Sequence, residues 1–212
     1  MNEMNSPFES HTQRYEDWFD KHQAAYLSEL LALRPFVPWS GRGLEIGVGT
    51  GRFAAPLGVR EGMDPSPAML ARAAARGIET TEGAGEDMPF AGESFDYLLL
   101  VATLAFLESP ARMLAEARRV LRPGGKLVIG FIDRASDLGR DYQARQTDNV
   151  FYRDASFHTP EEVDALLHEA GFVIEAWGQT LSKPLPEIQE IEPLQPGHGE
   201  GGFVVVAAFA AP

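Results

Sequence analysis

Apolar residues along this chain follow two alternating patterns. Short apolar runs are bounded by glycine or proline, and between them lie segments where apolar positions recur every three or four residues. The segment 11–33 has the second pattern. Tyr15, Trp18, Phe19, Tyr26, Leu27, Leu30 and Leu31 fall at helical spacing until Pro35 and Pro38 end it. Short strands are expected at 44–46, 59–63 and 78–82. The nearly continuous apolar runs at 95–101 and 126–131 read as strands buried on both faces. An alanine-rich helix starts at Pro65-Ser66-Pro67 and stops at Gly77, and another covers 110–121, with Pro123-Gly124-Gly125 as its stop. Thr159-Pro160-Glu161-Glu162 supplies an N-cap, a first-turn proline and first-turn acids for a helix that runs to Gly171. The last strands, 172–177 and 203–209, are joined without a helix. This alternation predicts an α/β fold, Rossmann-like, with a mostly parallel seven-stranded sheet and helices on both faces. The closing pair allows an antiparallel end.

Composition narrows the partners. At 212 residues the chain is expected to form a single domain, 1–212, with 1–38 as an N-terminal helical cap. Two irregular stretches, 133–157 and 183–202, are candidate substrate-capping segments, since long connections often carry function. The absence of cysteine excludes disulfides and thiolate metal sites, and no histidine pairing has convincing ligand spacing, so no metal is expected. A net charge of −13 argues against nucleic acid, which needs a basic surface to displace counterions. No apolar run approaches a membrane span, and the polar start lacks a signal-peptide pattern. A cytoplasmic protein, monomer or homodimer, acting on a small molecule is the expectation.

The chemistry is concentrated in Leu44-Glu45-Ile46-Gly47-Val48-Gly49-Thr50-Gly51. Glycines there permit positive φ and let a ligand lie against bare backbone, with unpaired N–H groups of a following helix nearby. The third glycine of a dinucleotide fingerprint is replaced by Arg52, the glycine coming one residue early at Gly51. Glu45 would repel a pyrophosphate and attract an ammonium group. Asp64 ends the second strand where a carboxylate can take ribose hydroxyls. A nicotinamide-dependent oxidoreductase is therefore disfavoured, and a nucleoside carrying an amino-acid tail is favoured.

The E-x-G-x-G-x-G loop resembles motif I of class I S-adenosylmethionine (SAM)-dependent methyltransferases. The segments Ala84-Gly85-Glu86-Asp87-Met88-Pro89-Phe90, Phe95-Asp96-Tyr97-Leu98, Leu121-Arg122-Pro123-Gly124-Gly125-Lys126-Leu127 and Thr159-Pro160-Glu161-Glu162 are similar to later motifs of that family, in order. The chain thus resembles the ubiquinone/menaquinone-biosynthesis type of methyltransferase. The resemblance implies one antiparallel strand in the sheet, SAM as cofactor and S-adenosylhomocysteine as product. It implies cofactor contacts from Glu45, Gly47, Gly49, Gly51, Asp64 and Val101, with Pro65 and Met69 packing on adenine. Gly85, Glu86 and Asp87 would lie along the adenine, one acid meeting its amine and the other facing solvent. Methyl transfer would be an in-line displacement onto a small-molecule acceptor. Tyr15, in Tyr15-Glu16-Asp17-Trp18, would lid the methyl-donor site, and His198 is the candidate general base. A SAM-binding partner or sensor without transferase activity is the alternative.

Overall fold

The computed structural model describes residues 7–211; the first six residues of the expected 1–38 cap and Pro212 lie outside them. Its centre is an eight-stranded sheet, β1 (Gly43–Ile46), β2 (Glu61–Asp64), β3 (Glu79–Glu82), β4 (Phe95–Val101), β5 (Leu121–Ile132), β6 (Phe172–Thr180), β7 (Gln195–Pro196) and β8 (Phe203–Ala210). The order is β3-β2-β1-β4-β5-β8-β6-β7. Strands β3 through β5 pair in parallel, and β8 lies antiparallel between β5 and β6. All seven strands read from the sequence are present. The eighth, two-residue β7 pairs with β6 inside the 183–202 connection, where proline and glycine hide any strand signal.

Among the described residues eight α-helices pack around it: α1 (Pro7–Ser10), α2 (Thr12–Lys21), α3 (Gln23–Leu33), α4 (Ala54–Leu57), α5 (Pro67–Ala75), α6 (Pro110–Val120), α7 (Asp137–Ala144) and α8 (Pro160–Glu169). Alternation along β4 divides the core. Leu99 and Val101 join Val128, Val205 and the side chains of α2 to α5 on one face. Leu98 and Leu100 join Ile129, Val206, Met113 of α6 and Leu167 of α8 on the other. The caps follow the sequence: Ser66 and Ser109 accept the N–H of Met69 and Arg112, and Thr159 with Glu162 forms a full capping box.

Two expectations about the cap need correction. The single helix 11–33 is broken at His22, whose backbone leaves helical geometry (φ −115°, ψ 46°), making α2 and α3 separate. The break lets Phe19 of α2 and Tyr26 of α3 both pack edge-on against Phe53. The inward face of α3 is Ala25, Ser28, Glu29, Ala32 and Leu33, while Leu31 turns out to solvent. The period was right and the face rotated. Small residues let α3 approach β5, β6 and β8 closely, and that approach carries Glu29 inside.

Candidate active site

The crossover from β3 to β4 leaves a crevice at the carboxyl ends of β1 and β4, where open α/β sheets hold ligands. Gly47, Gly49 and Gly51 all have positive φ (68°, 52° and 80°). A Cβ on Gly47 would lie 2.4 Å from Cγ2 of Thr103, whose hydroxyl donates to the Gly47 carbonyl at 3.3 Å and ties β4 to the loop. Above Gly49 the nearest atom to such a Cβ is the Tyr15 hydroxyl, at 3.3 Å, so the bare loop backbone faces the cap across a narrow gap. Ala102, one residue past the buried Val101, holds a left-handed φ of 52°. Such strain is common at functional sites.

Two buried acids flank the loop. Asp64 accepts the Gly49 N–H through Oδ2 and the Ser66 N–H through Oδ1, both at 2.9 Å. Burial raises its pKa, and the two backbone N–H groups oppose the rise. Glu45 is 1% exposed. Burial pushes its carboxyl well above the usual range against a contact from the Ala54 N–H, with the Asp64 charge adding to the rise. Its Oε2 has no partner among the described residues. A buried acceptor without a donor is costly, and the ammonium of an amino-acid-tailed nucleoside is a donor that fits it. The glycine cradle, Asp64 and this orphan oxygen together suit SAM.

The cap is fastened to the loop by groups the sequence reading missed. Buried Glu16 takes ion pairs at 2.7 Å from both Arg52 and Arg76. Burial opposes its ionisation, but Thr50, Arg52 and Arg76 outweigh that and hold its pKa below the usual carboxylate range. The Arg76 guanidinium also donates to the Thr50 carbonyl, and the Tyr26 hydroxyl to the Arg52 carbonyl. Arg52, which spoiled the dinucleotide fingerprint, is thus the anchor of the cap. Glu9 of α1 accepts from the Ser66 hydroxyl and the Ala68 N–H, so α1 closes over the Asp64 end. No local pattern marks Glu9 or Glu16 for these roles; both depend on docking across the chain.

The other predicted residues are placed as follows. Tyr15 faces Glu45, Asp64, Glu16 and Tyr152; burial first, then those groups, raise its pKa well above the phenol range. Its hydroxyl is therefore a hydrogen-bond donor and not a base. Trp18 and Phe19 pack against each other and dock α2. Met69 is buried and Pro65 is exposed. Gly85 is buried against Ile46 and Met113. The Glu86 carboxylate accepts the N–H groups of Glu108 and Ser109, which pins the 83–90 loop to the start of α6, and Asp87 is exposed. His198 is exposed, edge-on to Trp177, with Asp133 and Glu161 in electrostatic reach. It is not among the residues that line the cavity described next.

That cavity, of about 20 Å³, lies at the ends of β4 and β5 and is lined by Ala102, Phe106, Ile132, Tyr152, Phe157 and His158 among others. It has room for about one water. His158 Nδ1 is buried there without a partner among the described residues. Part of the wall comes from the 133–157 segment, in which α7 was not anticipated.

Residues 44–129 match the model of a methyltransferase domain. A SAM-dependent methyltransferase from Thermotoga maritima, named a possible histamine N-methyltransferase, superposes with a TM-score of 0.93. It is 46% identical and covers 96% of this chain and 97% of its own. The chain belongs to the class I SAM-dependent methyltransferases. An uncharacterised Methanocaldococcus jannaschii protein is 44% identical over 95% of this methyltransferase and 97% of its own length. A malonyl-[acyl-carrier protein] O-methyltransferase from Methylococcus capsulatus is 30% identical over 76% of this chain and 62% of its own. This is a SAM-dependent enzyme, and the nicotinamide reading is set aside.

Proposed function

We propose that this methyltransferase acts on a small-molecule acceptor enclosed between the cofactor crevice and the aromatic roof formed by α2, α7 and residues 146–158. The observation that carries this reading is the position of Tyr15. It lies over Gly49 on one side and meets Phe151 and Tyr152 of the roof on the other, with ring centroids 6.0 Å apart from Phe151. A roof this close leaves no path for a polymer across the crevice.

SAM, when bound, supplies an electrophilic methyl on a sulfonium, open to in-line displacement. Glu45 would take its ammonium, Asp64 its ribose hydroxyls and the glycine loop its backbone-facing edge. Asp87, whose side chain is exposed, is the acid of its pair left to meet adenine, since Glu86 is engaged with α6. Tyr15 donates a hydrogen bond into the site, and the rings around it exclude water, so that nucleophile and methyl are held in line. Aromatic faces near the sulfonium favour its positive charge. His158, whose ring lines the cavity, is better placed than His198 to orient a proton-bearing group.

The relatives divide on the acceptor atom, nitrogen for the Thermotoga protein and oxygen for the Methylococcus enzyme. A methyl-transfer screen with labelled SAM against amine, phenol and carboxylate acceptors, beside duplex DNA and RNA, tests the reading. Turnover confined to small molecules is expected; transfer to a polymer alone overturns it. A cytoplasmic monomer or homodimer accords with this role.

A further inference from the structure

Glu29 has no part in the site described so far. It is 6% exposed, on the inner face of α3, and among the described residues no hydrogen bond or ion pair reaches its carboxylate. The titratable groups that face it are Tyr142 on α7 and Tyr152 in the roof. Arg34, at the end of α3, is committed to the carbonyls of Leu57 and Val37. Among the described residues, therefore, no cation answers Glu29. The two tyrosines are edge-on with centroids 4.9 Å apart. Tyr152 also lines the cavity and faces Tyr15 on the cofactor side. A buried acid without a cation, beside two phenol rings and one ring away from the methyl-donor side, is an arrangement that can receive an organic cation.

We propose that Glu29 is the anionic anchor of the acceptor site and that the acceptor is a small amine, entering as its ammonium ion between Glu29 and the rings of Tyr142 and Tyr152. This rests on the reading of a small-molecule acceptor and names its class. In the empty site at pH 7 Glu29 holds its proton; it gives that proton to solvent as the ammonium enters, and the bound ammonium then passes one of its own protons to the Glu29 carboxylate. The freed nitrogen lone pair forms the N–CH₃ bond while the C–S bond breaks, its electron pair staying on sulfur as a neutral thioether. The methylated amine leaves as a cation, and Glu29 keeps the proton it took. Burial alone raises Glu29 to about 8, basic enough to share a proton with an ammonium ion.

The test is calorimetry on the full chain saturated with S-adenosylhomocysteine. The ligands are 2-phenylethylamine, 2-phenylethanol and phenylacetate, then straight-chain amines paired with their alcohols, in two buffers of different ionisation heat at pH 7. The expected result is that amines bind at least tenfold tighter than their alcohols and release close to one proton. In Glu29→Gln that preference and proton release vanish, while S-adenosylhomocysteine binds within twofold of wild type. Glutamine is isosteric and removes a buried ionisable group, so this variant should fold. Amines binding no better than alcohols across the panel, or an unchanged preference in Glu29→Gln, overturns the proposal. Failure of the wild type to bind S-adenosylhomocysteine would instead overturn the reading beneath it.

Discussion

The cofactor crevice and the small cavity beside it sit at one end of the sheet, yet they are built differently. Around the crevice the polar side chains are tied into a network with the glycine loop and the cap. Asp64 holds the N–H groups of Gly49 and Ser66, Thr103 holds Gly47, and Glu16 holds two arginines. On the cavity side, among the described residues, His158 Nδ1 has no hydrogen-bond partner, and neither has Glu29, which neighbours Tyr142 and Tyr152 without lining the cavity. A site for one fixed ligand can be preorganised by its own network, which lowers the cost of binding. On the proposed acceptor side, hydrogen-bonding and charge capacity stays available for the molecule that would be methylated. Among the described residues three buried oxygens on the cofactor side, Glu16 Oε1, Glu45 Oε2 and Thr50 Oγ1, lack a partner, and Glu45, with no arginine paired to its carboxylate, is the one that suits a ligand ammonium.

This contrast can be broken most forcefully at Glu29. Its pKa is raised to about 8 in the folded protein, against about 4.3 in an unfolded chain. The folded state therefore binds a proton more readily. Its contribution to stability is full below the unfolded pKa and is lost as pH rises to the folded one. Glu29→Gln should be indistinguishable from wild type in denaturant midpoint at pH 4. It should be more stable at pH 9 by an amount of order 3–5 kcal/mol as an upper limit. A constant difference across that window would mean that Glu29 is not buried as an isolated acid.

Next in size is Asp64→Ala, which orphans the N–H groups of Gly49 and Ser66 and removes the proposed ribose acceptor. A loss of about 2–3 kcal/mol, or 30- to 100-fold in S-adenosylhomocysteine affinity by calorimetry, is expected. Affinity within threefold of wild type would show that the loop is not organised through this carboxylate.

Glu16→Gln should lower stability by about 1–2 kcal/mol at pH 7, since it weakens the pairs with Arg52 and Arg76. Because the folded pKa of Glu16 is depressed, its contribution is present above the unfolded pKa and lost as pH falls through the folded one. The gap between variant and wild type should close in acid, and a gap that persists at pH 2 would assign the loss to packing. The smallest effect is Tyr15→Phe, about 1 kcal/mol, or roughly fivefold, in SAM affinity or turnover with thermal stability unchanged. If neither parameter moves, the hydroxyl does not serve the lid.

The cofactor half was legible in the chain because its signals are local. A strand, a three-glycine turn and a following helix lie within a dozen residues, and backbone conformation alone demands glycine there. Asp64 was legible for the same reason: it ends one strand and starts one turn. The arginine at position 52 was noticed only as a departure from a nucleotide motif, and docking of α2 turned it into an anchor. The acceptor half was largely illegible. Tyr15 could be suspected from its resemblance, but its neighbours in the roof, Phe151 and Tyr152, lie over a hundred positions away, and His198, chosen for a glycine-flanked loop, lies against Trp177.

What the sequence by itself determined is therefore the period of each element, the caps, the parallel order of the first five strands' neighbourhood and the chemistry of the glycine loop. These follow from short-range sterics and hydrogen bonding. Only the tertiary structure decided that β8 slots between β5 and β6, that the helix breaks at His22, and which face of α3 turns inward. A count of apolar residues placed Leu31 inside and passed over Glu29, because it weighs each side chain by its own hydrophobicity. Close packing of small residues against the sheet chose the other face. The buried carboxylate that results is visible only once the whole chain has assembled around it.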